Sequence, residues 1–205
     1  MSKIAMFGGS FNPVHIGHVG IVQRMIGEHN LDKVYVVPTY NTPLKDNTPM
    51  LTPEHRLNMC QLAFADLDNV VISDIEISRK GKSFTVDTLK ELKRLHPDDE
   101  ICLIIGADSF LQLRLWHDVA EIFEIATILT VTRDVILPKE LNIRKEQYEE
   151  EYGARVFISC EPICKASSTE IRNAIKENKP FTHLLSDKVS DYISSKGLYG
   201  YDKQY

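Results

Sequence analysis

The run Ile4-Ala5-Met6-Phe7-Gly8-Gly9-Ser10-Phe11-Asn12-Pro13-Val14-His15-Ile16-Gly17-His18 passes from four apolar residues, through a glycine pair, to two histidines three positions apart. The apolar residues read as a short buried strand and Gly8-Gly9 as a turn. Asn12 then reads as a helix N-cap and Pro13 as the first helical residue. A strand, a Gly-rich turn and a helix start make an anion site, because free backbone N–H groups and the positive helix end point the same way. His15 and His18 share one face of that helix beside the site. A protonated histidine in a first turn opposes the helix dipole, and a bound phosphate repairs the conflict. A plainer reading is a strand–helix turn with two incidental surface histidines. A third is zinc, but His-x-x-His supplies only two of the three or four ligands zinc wants, and no further His or Cys pair stands close in sequence.

Working outward, short β-rich runs alternate with helical patterns. The strands expected are Lys3–Phe7, Lys33–Val37, Val70–Ser73, Ile101–Gly106, Ala126–Val131 and Val156–Ser159. The helices expected are Val14–Glu28, Pro53–Ala65, Thr85–Leu95, Val119–Phe123, about Lys139–Tyr152, Ser168–Glu177 and Ser186–Ser195. This alternation implies an α/β chain: one Rossmann-like, doubly wound and mainly parallel sheet with helices on both faces, spanning residues 1–205 as a single domain. Ligands in such sheets bind beyond the carboxyl ends of the strands.

The formal net charge of -5 argues against a dedicated nucleic-acid binder, so a phosphate site must use focused charge. No apolar run reaches membrane-spanning length and no signal-peptide pattern opens the chain, so a cytoplasmic setting is expected. Cys60, Cys102, Cys160 and Cys164 suggest reduced core thiols; Cys160-x-x-x-Cys164 as a redox or metal pair is the lesser reading. Glu149-Glu150-Glu151 is most simply a solvated helix face.

Further motifs follow strand ends. In Lys165-Ala166-Ser167-Ser168-Thr169-Glu170-Ile171-Arg172, Ser167 and Glu170 have the spacing of a capping box. That leaves Arg172 unexplained, since a cation near a helix N-terminus opposes the dipole unless an anion is present. Ile101–Ile105 leads into Gly106-Ala107-Asp108-Ser109. There Asp108 suits ribose hydroxyls, while a capping role for Asp108 or Ser109 fits equally well. Thr85 in Phe84-Thr85-Val86-Asp87-Thr88-Leu89 is a good helix start. Trp116, the only tryptophan, reads on its own as a core anchor.

The block from Gly8 to His18 resembles the GxFxPxHxGH signature of the α/β nucleotidylyltransferases. Its Phe-Asn-Pro form looks like the nicotinate mononucleotide adenylyltransferases. The later motifs are similar to that family's ISSTxIR, IGxD, [YF]TxDTL and PxxxxPHK elements, so the likeness extends from Lys3 to about Tyr199. The resemblance implies transfer of an adenylyl group from ATP to nicotinate mononucleotide, with magnesium accompanying ATP and no dedicated protein metal site. It makes Gly8, Gly9, Ser10, Phe11, His15, His18, Gly106, Asp108, Ser168, Thr169 and Arg172 contacts of ATP. Among these, His15, His18 and Arg172 would be catalytic. It places Lys45 on the mononucleotide phosphate, Thr85 at the nicotinate carboxylate and Trp116 against the ring. Two positions depart from the pattern. Ala166 replaces isoleucine, a change of packing, and Leu44 stands where histidine is usual, so one phosphate contact is missing or supplied elsewhere. Arg56 matches a frequent family arginine, with a surface role equally open, and Arg133 is an added phosphate candidate.

The chemistry needs no protein nucleophile, because the attacking phosphate oxygen is already deprotonated. Alignment and charge stabilisation should therefore carry catalysis. Competing readings are a sister enzyme using nicotinamide mononucleotide or pantetheine phosphate, a class I aminoacyl-tRNA synthetase, and a nucleotide sensor without turnover. Trp116 with Thr85 favours a pyridine ring. Small size and acidic charge disfavour a synthetase, and intact histidines disfavour a sensor. The partners expected are small molecules, with neither nucleic acid nor membrane, and a homo-oligomer is left open.

Overall fold

The computed structural model describes residues 1–41, 50–132, 138–159 and 166–202. Its first strand, β1 (Lys3–Gly9), is paired on both sides, and its side chains divide between two cores. Ala5 and Phe7 face one core and Ile4 and Met6 the other, the period of two expected of a strand buried on both faces. β2 (Lys33–Pro38), β3 (Val70–Ile72), β4 (Glu100–Gly106), β5 (Ala126–Val131) and β6 (Val156–Ser159) complete a six-stranded sheet, ordered β3-β2-β1-β4-β5-β6. Every pairing is parallel. The expected α/β, doubly wound architecture is the one observed.

Helices cover both faces. α1 (Ile16–His29), α2 (Pro53–Ala63), α8 (Ser168–Lys176) and α9 (Asp187–Lys196) bury Ile21, Met25, Met59, Ile171, Ile175 and Ile193 on the Phe7 side. α4 (Thr85–Leu95), α6 (Val119–Ile125) and α7 (Pro138–Tyr152) bury Leu89, Leu92, Ile122, Leu141 and Tyr148 on the Met6 side. Each fully buried aliphatic side chain adds about 1.5–3 kcal/mol, so these two layers hold the sheet edges in a fixed relation. α3 (Ile75–Arg79) and α5 (Ala107–Leu111) are additional to the helices expected. At five residues each they are too short to show a helical period. No helix among the described residues is long and apolar enough to cross a membrane.

The order reverses direction at β1, and the strands separate there. β1 stays with β2 as far as Gly9↔Pro38, but its last register partner on β4 is Phe7↔Ile104. The carboxyl ends of β1 and β4 therefore part and open a crevice at the topological switch point.

Candidate active site

The loop from Ser10 to His15 leaves β1 into this crevice, and its start differs from the sequence expectation. Asn12 is not an N-cap and Pro13 is not helical. His15 is the N-cap, extended at φ -145 and ψ 170, and α1 begins at Ile16. The physical reason is that the Asn12 carboxamide is taken by distant partners. Its Oδ1 accepts the Leu51 N–H at 3.3 Å and the Tyr199 hydroxyl at 2.9 Å. The Asn12–Pro13 peptide is cis, and Phe11 lies in the left-handed region at φ 45. Gly9 makes room for this turn, because a Cβ there would come within 3.0–3.3 Å of the Phe11 ring. That ring packs edge-on to His18 with centroids 5.1 Å apart.

His15 and His18 do share a face. Their rings stack at 3.7 Å with an interplanar angle of 24°, and His15 is buried. The His15 N–H donates to Nδ1 of His18 at 3.2 Å. A nitrogen that accepts carries no hydrogen, so the neutral His18 ring carries its hydrogen on Nε2. Two cationic rings at this separation would repel by about 4 kcal/mol at an effective dielectric near 20. An anion beside them removes that penalty.

The second motif reaches the first across the sheet. Arg172 Nη1 donates to the Asn12 carbonyl at 2.7 Å and Nη2 to Thr169 Oγ1 at 3.1 Å, while the Ser168 hydroxyl donates to the Pro13 carbonyl at 2.8 Å. Ser167 is the N-cap of α8 as expected, but its side chain makes no capping bond. The helix end is thereby pinned by its neighbours' long-range bonds, and Thr169 stays exposed. Arg56 settles an open question. It is 1% exposed, and its Nη1 and Nε donate to the carbonyls of Ser10 at 3.0 Å and Leu51 at 3.2 Å. Burial lowers its pKa below the ordinary arginine value. It is a clamp on the loop and not a surface residue.

A continuous line of contacts leads from Gly9 to the remaining candidates. The Thr39 N–H donates to the Gly9 carbonyl, the Tyr40 N–H to Ser83 Oγ and the Ser83 N–H to the Asn41 carbonyl. Phe84 then meets His117 with ring centroids 4.4 Å apart, bringing the Thr85 and Trp116 segments together. Thr85 is the first residue of α4, and Trp116 is half-buried on the second core. Behind them Glu76 is buried and accepts the Thr88 hydroxyl at 2.8 Å. Desolvation raises its pKa, against the lowering effect of the Ser83 and Thr88 hydroxyls and of Arg79. Gly106 ends β4. Asp108 and Ser109 lie inside α5 and not at its N-cap, which is Gly106, and Asp108 is exposed. Lys45, Leu44, Arg133, Cys160, Cys164 and Lys165 lie outside the described residues. Tyr199, Asn12 and Glu76 were missed as contributors to the site. Only Asn12, within Phe-Asn-Pro, stood in a motif that drew attention to it.

Comparison with known proteins agrees with this geometry. Residues 6–174 match the family described as cytidylyltransferase-like. The chain is similar to the "Probable nicotinate-nucleotide adenylyltransferase" of Desulfitobacterium hafniense (strain Y51), at 36% identity over 96% of this chain and 95% of that one. It is 32% identical to the protein of the same description from Clostridium tetani (strain Massachusetts / E88), over 97% of this chain and 100% of that one. The fold is shared with Plasmodium falciparum nicotinic acid mononucleotide adenylyltransferase complexed with NaAD, with a TM-score of 0.80, 16% identity, and coverage of 98% and 99%. The Gly8-Gly9 pair, which ends β1 as strand and not as the expected turn, the stacked histidines and Arg172, which holds the loop between them at Asn12, are thus set in a chain that belongs to the cytidylyltransferase-like family and, within it, to the nicotinate-nucleotide adenylyltransferases.

Proposed function

We propose that this crevice transfers the adenylyl group of ATP to nicotinate mononucleotide, giving deamido-NAD and pyrophosphate, a step of NAD biosynthesis. The observation that carries the reading is the Arg172–Asn12 bond of 2.7 Å, which joins two phosphate-type motifs 160 residues apart in one site. The mononucleotide phosphate oxygen attacks the α-phosphorus of ATP. The new P–O bond forms as the bond to the α,β-bridging oxygen breaks, and pyrophosphate carries the electron pair away. No proton need move in the chemical step.

The roles follow from charge and position. Backbone N–H groups of Gly8–Phe11 and the start of α1 face the phosphates. His18 Nε2–H donates to the oxygens of the α-phosphoryl group, with His15 stacked behind it. Ser168, Thr169 and Arg172 hold the departing β,γ-phosphates, and Gly106 and Asp108 hold the ribose. Lys45 meets the mononucleotide phosphate, Thr85 the nicotinate carboxylate and Trp116 the ring. Magnesium enters with ATP as part of the substrate, held by phosphate oxygens and water. Residues 1–205 act as one domain, supported by the single sheet. A cytoplasmic setting is supported by the buried free thiols Cys60 and Cys102.

The test is pyrophosphate release from magnesium-ATP with nicotinate mononucleotide, and separately with nicotinamide mononucleotide. Turnover with the acid supports the assignment. A folded chain inactive with both refutes it.

A further inference from the structure

We infer that Tyr199 is a positioning residue for adenylyl transfer, acting through Asn12 on the phosphate loop and on Arg172. The inference rests on the adenylyl-transfer reading above. Three distant segments meet at one residue: the Tyr199 hydroxyl donates to Asn12 Oδ1 at 2.9 Å, and the Asn12 carbonyl accepts Arg172 Nη1 at 2.7 Å. Asn12 is 2% exposed, and its Oδ1 also accepts the Leu51 N–H at 3.3 Å. Two donors converging on one oxygen select one orientation of the carboxamide, since a flipped amide would set N–H against N–H. The loop between Phe11 and Pro13 is therefore held from its side chain as well as from its carbonyl.

Docking of the C-terminal turn does not by itself require this hydroxyl. The turn Leu198–Gly200 is already anchored by Leu198, which is 6% exposed in the first core. Tyr199 nevertheless holds φ 61, a left-handed conformation that non-glycine residues adopt only where their surroundings impose it. What the surroundings gain is a donor aimed at Asn12. Burial raises the phenol well above its ordinary pKa, so it remains a donor throughout the neutral range. Losing the hydroxyl should loosen the loop and let Arg172 follow it, at a cost in the transition state more than in ground-state binding.

Steady-state kinetics of the full chain with magnesium-ATP and nicotinate mononucleotide, with Tm for each variant, test this. Tyr199→Phe should lower kcat by roughly 5–20-fold, leave KM for the mononucleotide within about twofold and move Tm by only a few degrees. Leu198→Ala weakens the same turn but keeps the hydroxyl, so it should lower Tm while kcat stays within about twofold. Tyr199→Phe combined with Arg172→Ala should be barely slower than Arg172→Ala alone, because one group acts through the other. An unchanged kcat in Tyr199→Phe, fully multiplicative effects in the double variant, or a kcat loss that tracks the folded fraction each overturns the inference. An inactive parent chain overturns the adenylyl-transfer reading and this inference together. An active parent with unaffected Tyr199→Phe overturns this inference alone.

Discussion

The His15 N–H donates to Nδ1 of His18, which sets the hydrogen of the neutral ring on Nε2, and the role proposed for His18 is donation from there to a phosphate oxygen. His18→Ala should therefore lower kcat by about 10²–10³-fold with a much smaller change in KM for ATP, and a near-normal kcat in the folded variant would remove it from the mechanism. Glu76 supplies a second prediction. Its pKa is raised, so its contribution to stability is complete below the ordinary carboxylate value and is lost as pH rises through the folded value. Glu76→Gln keeps an oxygen for the Thr88 hydroxyl at 2.8 Å and cannot ionise. Its Tm relative to the parent should rise between pH 4 and pH 7, and a pH-independent difference would contradict the assignment. At this scale sequence reading found the charged and ring-bearing residues of the motifs. It could not find Glu76 or Tyr199, because their importance comes from partners 12 and 187 residues away.

Among the elements, α2 shows how a helix far from the crevice shapes it. Pro53 begins the helix as expected, and one turn later Arg56 sends its guanidinium inward to the Ser10 and Leu51 carbonyls. Arg56→Ala would leave two carbonyls without their donor and a cavity beneath the loop. It should cost about 2–4 kcal/mol in urea unfolding and depress kcat as well. Arg56→Lys should recover little, since one ammonium cannot reproduce the geometry of Nε and Nη1. A fully stable, fully active Arg56→Ala would show that the clamp is dispensable. The α4 helix was legible to the residue, Thr85–Leu95, because apolar positions recur on one face. The start of α1 was not. Local capping rules assign Asn12 to its own helix, whereas long-range hydrogen bonds claim its side chain first.

For the molecule as a whole, the alternation of strands and helices determined the layered architecture, and the switch point then located the crevice. On the proposed placement of the ring between Thr85 and Trp116, the pyridine end is where acid and amide are told apart. Stacking on Trp116 cannot separate acid from amide, since both present nearly the same face. In the proposed site, donors aimed at the carboxylate from the Thr85 segment can, because charge-assisted bonds to a carboxylate contribute about 1.5–3 kcal/mol each. The ratio of kcat/KM for nicotinate over nicotinamide mononucleotide should reach ~10² or more. Equal values would reject the acid assignment and leave adenylyl transfer standing.

The strand order also bears on how the chain is made. β1 is interior, yet its partner β4 lies about a hundred residues downstream, at Glu100–Gly106. During synthesis from the N-terminus, one apolar edge of β1 stays open until that segment has emerged, which favours association with chaperones or with other nascent chains. The phosphate loop waits longer still, because Arg172 and Tyr199, which fasten Asn12, come in the last fifth of the 205 residues. A nascent chain can thus complete its sheet, which ends at Ser159, before Arg172 and Tyr199 emerge to fasten the Asn12 loop.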